Sequence, residues 1–408
     1  MATGRRWQIV ATIGLAAVAL TACKSSSGSS GSIGSKSSLV IGFSYSSTGS
    51  LANEGKLMHD GYQLWADTVN SKGGLKVGGK SLKVQLKSYD DESNANNAAS
   101  NTQKLITDDK VDFVLGPYGS ANTLAAETVA EKNKYVFLDA EGAANEIFAK
   151  NYKYVVANVP LATTYPTQAM NFLAAQTPKP KLAVIWADDA FSKTVGQAAV
   201  DQAKQKGLDV VVSQQYPAGN KDFSTLITQM KSGGAQAVFA AGHADEALQV
   251  VKQEQQLDFH PGATIQTVGP TTPSFVTALG TAAENQYGTA SWTSTIGAFK
   301  DDLFGSASTY AANYKKAFGQ DPDYHSAGSS AGAEILGLGI QKANSLDQDK
   351  VLTALKSLDV MTVGGPFKAN ADGSNANGII LLGQVQGGQF VSVFPDKYAF
   401  KKPLYPVK

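Results

Sequence analysis

Few side chains in this sequence are placed to do chemistry. Four histidines, His59, His243, His260 and His325, are scattered with no ligand-like spacing between any pair, which argues against a metal centre or a catalytic cluster. Gly328-Ser329-Ser330-Ala331-Gly332 fits the G-x-S-x-G pattern of a nucleophile elbow. That motif needs a buried strand immediately before the serine. Asp323-Tyr324-His325-Ser326-Ala327 is not an apolar strand, and 327–342 reads instead as one Gly/Ala-rich helix, so the hydrolase reading fails on context. Asp90-Asp91-Glu92 could gather a hard cation. A strand-end loop capping the following helix is the simpler reading. Ser120 follows a short apolar run and opens a helical stretch, where free N–H groups and the positive end of the dipole meet an anion.

The single cysteine, Cys23, has a different chemistry. Arg5-Arg6 precede an apolar run, 7–22, that is broken only by Gln8, Thr12, Gly14 and Thr21. This is the layout of a secretory signal peptide, and it is short for a membrane span. The twin arginines also fit twin-arginine export, ordinary secretion being the simpler route. Leu20-Thr21-Ala22-Cys23 resembles a bacterial lipobox, which makes Cys23 the expected lipidation site and mature N-terminus. With that thiol used, disulfides, thiolate catalysis and cysteine metal sites are excluded. Residues 23–38, rich in Ser and Gly, read as a flexible tether.

The whole chain has 35 basic residues against 34 acidic. Loss of 1–22 removes both arginines and no acid, turning the formal charge of +1 into −1. A near-neutral chain lacks the basic footprint of a nucleic-acid binder. No later segment is long and apolar enough to span a bilayer. An arginine-free mature chain must hold any anion with backbone N–H groups, hydroxyls, amides or lysine, because bidentate recognition is arginine's task.

These residues have to be positioned by an alternating pattern of strands and helices. Strands are expected at 39–44, 82–88, 112–115, 136–138, 182–187, 210–215 and 237–241. Helices are expected at 56–72, 95–108, 194–206, 223–232 and 244–256. Such alternation implies parallel sheets covered on both faces, an α/β fold. The length and a 43% hydrophobic composition suit two lobes. Near the C-terminus, 378–382 and 389–394 flank Gly387-Gly388 and read as a hairpin.

The order of motifs resembles the type I solute-binding proteins of ABC importers, in the Leu/Ile/Val-binding-protein family. The matching features are Val40-Ile41-Gly42, then Asn70-Ser71-Lys72-Gly73-Gly74-Leu75 before Leu82-Lys83-Val84, and Tyr89-Asp90-Asp91-Glu92-Ser93. They continue with Val114-Leu115-Gly116-Pro117-Tyr118-Gly119-Ser120, Gly142-Ala143-Ala144, Lys153-Tyr154-Val155 and Ala187-Asp188-Asp189-Ala190-Phe191-Ser192. The likeness runs from about Leu39 to Phe394. It implies two Rossmann-like lobes with parallel central sheets, joined by three crossovers near 158–164, 288–293 and 361–366. The first lobe would be 39–158 with 291–362, and the second 159–290 with 363–408. The ligand would lie in the cleft between them, beyond the carboxyl ends of the strands.

Carried over residue by residue, the resemblance makes Ser120 the carboxylate-binding serine, with Asn122 and Thr123 beside it and Tyr45 a further contact. In the next loop, Glu141-Gly142-Ala143 lacks the usual hydroxyl. Phe191 stands where a second-lobe aromatic packs on the ligand, and His243 where another often sits. Thr271 stands in place of the acid that pairs with the ligand's ammonium, and Glu141 can supply that charge from the other lobe. Trp292, at a crossover, either lines the cleft or braces the hinge. The function implied is capture of an amino acid or related small carboxylate for an ABC permease, with no enzyme activity, cofactor, metal or nucleic acid. The chain would be extracytoplasmic and lipid-anchored. A ligand-sensing ectodomain, or a carrier of a non-amino aromatic or aliphatic acid, are the alternatives.

Overall fold

The structure is a computed structural model that describes Met1 and residues 33–34 and 36–407; the leader, Cys23 and most of the tether lie outside the described residues. The chain opens as β1 (Ser38–Tyr45), α1 (Ala52–Ser71), β2 (Leu75–Val77), β3 (Lys80–Asp90), α2 (Ala95–Thr107), β4 (Phe113–Leu115), α3 (Ser120–Lys132), β5 (Phe137–Asp139), α4 (Asn145–Ala149) and β6 (Val155–Ala157). Its six strands form one sheet in the order β2-β3-β1-β4-β5-β6, parallel except where β2 and β3 pair as a hairpin. The second lobe runs α5 (Thr167–Ala174), β7 (Leu182–Ala187), α6 (Ala190–Gln205), β8 (Val210–Tyr216), α7 (Ser224–Ser232), β9 (Ala237–Ala241), α8 (Ala244–Gln256), β10 (Ala263–Gln266), α9 (Pro273–Leu279) and β11 (Tyr287–Ala290).

The chain then returns to the first lobe with β12 (Lys300–Asp301), β13 (Gly305–Ser306), α10 (Ala307–Phe318), α11 (Tyr324–Ala343), α12 (Gln348–Lys356) and a hairpin of β14 (Asp359–Thr362) and β15 (Gly365–Lys368). It ends with β16 (Leu381–Gln386), which adds antiparallel to β11, and β17 (Gln389–Phe394), which pairs antiparallel with β16. The second sheet reads β17-β16-β11-β10-β9-β7-β8. The expected α/β class, two lobes with parallel central sheets, is what the chain adopts.

The central strands are short apolar runs because both faces are covered. Phe113–Leu115, Ala237–Ala241 and Ala263–Gln266 are buried throughout. Burying a side chain such as Phe43 or Phe113 contributes about 1.5–3 kcal/mol. Helix α1 buries Leu57, Met58, Leu64, Trp65 and Val69, the apolar face expected from their spacing. It begins at Ala52, four residues before the expected start, and so brings Glu54 into its first turn.

The Gly/Ser/Ala content of α11 is explained by close helix packing. A Cβ on Gly61 of α1 would lie 2.4 Å from the Ser326 carbonyl oxygen of α11. Ser330 Oγ donates to the Gly61 carbonyl at 2.6 Å, and Tyr310 Oη donates to that of Ser326 at 2.8 Å. The G-x-S-x-G residues therefore lie inside a buried helix, with no elbow.

Three local expectations are corrected. The cap of α2 is Asn94, which accepts from the N–H groups of Asn96 and Asn97. Asp90 and Asp91 instead tie the loop after β1, Asp91 accepting from Ser44 and Ser46 and Asp90 from Ser47 and Thr48. The C-terminal hairpin begins at Leu381, not at 378. The third crossing expected at 361–366 falls inside the β14–β15 hairpin, whose Phe367 is buried in the first-lobe core. The residues after it stay with the first lobe: Ala157 N–H donates to the Gly373 carbonyl, and Asn375 Nδ2 to that of Asn158. The chain joins the second sheet only at Leu381.

Candidate functional site

The loops that follow β4, β5, β7 and β9 meet where the carboxyl ends of the two sheets face each other, the place open α/β sheets reserve for ligands. Tyr62 Oη of α1 donates to the Gly116 carbonyl at 2.9 Å and fixes the loop after β4. Gly119 then turns with φ 88°, a conformation that favours glycine, and gives α3 no side-chain cap. The first N–H groups of α3 are thus left without a side-chain acceptor among the described residues.

Ser120 is 3% exposed, and its Oγ accepts from the N–H groups of Ala143 and Ala144 at 3.1 and 3.0 Å. Its hydroxyl hydrogen remains available to an acceptor. Together with Ser120 and Ala143, residues Glu141, Phe191 and His243 line a chamber of about 20 Å³ at the lobe interface. These five are brought together as expected. The chamber opens at Gly119, Ser120 and His243 onto a vestibule of about 680 Å³, which Asn122 lines. The chamber holds about one water.

The other expected contacts fall elsewhere. Thr123 is fully buried behind the loop, donating to the Pro117 carbonyl at 3.2 Å. Gly142 donates its N–H to Asp139 Oδ1 at 2.7 Å, and a Cβ there would lie 2.5 Å from Thr123 Oγ1. Tyr45 stacks on His59, with ring centroids 4.8 Å apart, away from the chamber. Thr271 lines a separate cavity of about 230 Å³ beside Trp292, which lies on the far side of Tyr324. Trp292 packs edge-on against Tyr310 and is buried, bracing this region as well as lining it.

Reading the sequence missed Tyr118, Tyr165, Tyr324 and His325, which complete the chamber wall. Tyr165 packs edge-on against Phe191 at 5.1 Å. Tyr118 was legible within the Gly116–Ser120 stretch, whereas Tyr324 and His325 followed a helix-start signal, Asp323, with nothing to place them at the cleft.

The electrostatics are those of buried carboxyls with few cations. Glu141 is pushed up to about 8, first by burial; Ser329 Oγ donates to it at 2.6 Å, and His325 offsets part of the shift. No lysine reaches it among the described residues. Burial opposes the charge on His243, but Asp189 at 3.5 Å, Glu54 and Glu246 outweigh it and raise the imidazole to about 9. The lobes also touch directly. Glu54 Oε1 of α1 accepts the Ala244 N–H at the start of α8, at 2.9 Å, and Tyr118 Oη meets His243 Nδ1 at 3.0 Å. A first-lobe carboxylate therefore caps a second-lobe helix.

Comparison with known proteins agrees with this architecture. A family model described as periplasmic binding protein matches residues 38–389. The chain is 25% identical over 384 residues to Leu/Ile/Val-binding protein homolog 8 of Brucella abortus (strain 2308), an alignment that covers 89% of this chain and 92% of the other. Among solved structures it is similar to the branched-chain amino acid transporter substrate binding protein LivJ from Streptococcus pneumoniae in complex with isoleucine. The TM-score is 0.77 at 21% identity, over 86% of this chain and 97% of that one. An ABC transporter solute binding protein from R. palustris in complex with benzoate gives a TM-score of 0.74 at 18% identity, over 90% and 99%.

Proposed function

We propose, from the premise that the chain belongs to the periplasmic binding protein family, that it is the extracytoplasmic solute-binding component of an ABC importer and captures a small amino acid between its lobes. The observation that carries the choice of ligand is Glu141, a buried chamber carboxyl with no cationic side chain bonded to it among the described residues. A ligand ammonium supplies that partner. The ligand carboxylate takes the Ser120 hydroxyl and the uncapped start of α3, the arrangement a chain without arginine beyond its leader requires. Hinge opening admits the ligand, and closure buries it under Phe191 and His243. ATP hydrolysis belongs to another subunit, and this chain carries out no reaction of its own.

A second reading has one observation in its favour. Tyr118, Tyr165, Phe191 and Tyr324 give the chamber an aromatic wall, and a neutral Glu141 would tolerate a non-amino aromatic acid. Isothermal calorimetry with an amino acid and its deaminated analogue separates the two.

Two outcomes are expected. Phe191→Ala removes the ring that closes the chamber and weakens ligand binding at least tenfold, about 1.4 kcal/mol; normal binding by calorimetry would show that the second-lobe contact is wrong. Cys23→Ser leaves folding and binding intact but releases the protein from membranes in cell fractionation. Unchanged retention would rule out lipid as the anchor.

A further inference from the structure

His325 is a titratable chamber residue that neither the strand-end loops nor the amino-acid scheme above accounts for. Asp323 precedes α11 and does two things. Its Oδ1 accepts from the N–H groups of His325 and Ser326, capping the helix, and its Oδ2 takes His325 Nδ1 at 2.6 Å. The ring is therefore fixed in orientation, with Nδ1 bearing a proton. Nε2 is the remaining polar atom. It is buried in a residue 1% exposed and has no hydrogen-bond partner among the described residues.

The groups around the ring come from four elements. Asp323 and Tyr324 flank it on α11, Glu141 comes from the loop after β5, Glu54 from α1, and Tyr118 from the loop after β4 with ring centroids 5.2 Å away. His243 lies on the same chamber wall from the second lobe. Burial disfavours the imidazolium, while Asp323, Glu141 and Glu54 favour it and raise its pKa overall. Whether it donates from the charged ring or accepts in the neutral one, a buried ring nitrogen left without a partner is costly. Ser329, one turn further along α11, holds Glu141, so the ammonium position and His325 sit on neighbouring turns of one helix.

We infer that His325 is a specificity-determining ligand contact, its Nε2 hydrogen-bonding to a hydroxyl or amide on the ligand's side chain, so that the cargo is an amino acid with an oxygen-bearing side chain and not a plain aliphatic one. The inference rests on the amino-acid reading, because carboxylate and ammonium must already be held by Ser120 and Glu141 for a third polar contact to remain. An aliphatic side chain would bury Nε2 against carbon. Sites built to bond a ligand hydroxyl or amide reject the analogue that lacks it far more strongly than apolar pockets reject a missing methylene.

The test is calorimetry on the full folded chain with three size-matched pairs: L-threonine and L-valine, L-serine and L-alanine, L-glutamine and L-norleucine. The expected result is at least tenfold tighter binding of the oxygen-bearing member in at least one pair. That preference should disappear in His325→Phe and persist in part in His325→Gln, which keeps a side-chain donor. Valine, alanine and norleucine binding as tightly as their partners to the unsubstituted protein overturns the proposal and leaves amino-acid capture standing, with no variant needed. An undiminished preference in His325→Phe overturns it as well. Failure of all six to bind, with the deaminated acids binding, overturns the amino-acid reading and this proposal with it.

Discussion

Glu141→Gln is expected to weaken amino-acid binding by about 3 kcal/mol or more, a hundredfold or more in Kd. The amide preserves shape and can still accept from Ser329 Oγ, so the change removes the charge and little else. A ligand ammonium buried opposite it would lose its partner, which is the expensive way to break a buried pair. Without a ligand, burial holds this carboxyl near pKa 8. An arriving ammonium therefore has to draw its proton off, and amino-acid binding should release a proton near neutral pH. Calorimetry in two buffers of different ionisation enthalpy reads that proton directly. The deaminated analogue should bind Glu141→Gln as well as it binds the unsubstituted protein, or better. Tight amino-acid binding by the variant would sink this account of the site.

The second large effect is on stability. Seven buried carboxyls are raised, in each case first by burial: Asp91 and Glu246, Asp139 to about 7, Glu127, Glu141 and Glu254 to about 8, and Glu334 to about 9. Unfolded, they would release their protons near about pH 4. Between about pH 4 and the folded values, the native state holds more protons than the unfolded chain, so stability falls as pH rises. The slope is at most about 1.4 kcal/mol per pH unit for each fully shifted group. His243, raised to about 9, adds to the same trend, because its contribution is complete below about pH 6.5 and is lost as pH rises through 9. Asp90, lowered to about 2 by backbone and hydroxyl donors that outweigh burial, acts oppositely and gives up its contribution only as pH falls through that value. The ligand-free protein should therefore be most stable near about pH 5, and its Tm should drop by more than about 5 °C between pH 5 and pH 9. A flat or rising Tm over that interval would show that these carboxyls are ionised in the folded state.

Much of the site lay in the linear sequence because open α/β folds put ligand contacts at strand ends. Ser120, Ala143, Phe191 and His243 each fall within a few residues of β4, β5, β7 or β9, and those strands were legible as apolar runs. Position along the chain did not settle where a side chain points. Thr123 is one helical turn beyond Ser120 yet folds back on Pro117, and Tyr45 ends β1 but stacks on His59. Residues delivered by distant packing were not readable at all. Tyr324 and His325 reach the chamber because α11 lies against α1 through Gly61, and Tyr165 because the first crossover passes the cleft. The third crossing was misplaced for a similar reason. Val363-Gly364-Gly365 resembles a connector, but it closes a hairpin whose following loop is held by Asn375 on the first lobe.

The bond from Glu54 to the start of α8, with that from Tyr118 to His243, joins protein to protein and needs no third participant. Each such bond contributes about 0.5–1.5 kcal/mol net, more where a carboxylate is the acceptor. If the chain is the carrier proposed above, together they bias its open–closed equilibrium without cargo toward closure by about tenfold or more. The measured Kd scales inversely with the competent fraction, so a carrier biased toward closure binds tightly but admits cargo slowly. The same constant governs traffic at the membrane. A transport partner that recognises the closed shape will meet unloaded closed carriers in proportion to it, and those meetings compete with delivery. Substitutions at Glu54 would thus shift the balance between scavenging at low concentration and throughput at high concentration, in part through His243, whose Nδ1 lies 4.0 Å from Glu54 Oε1.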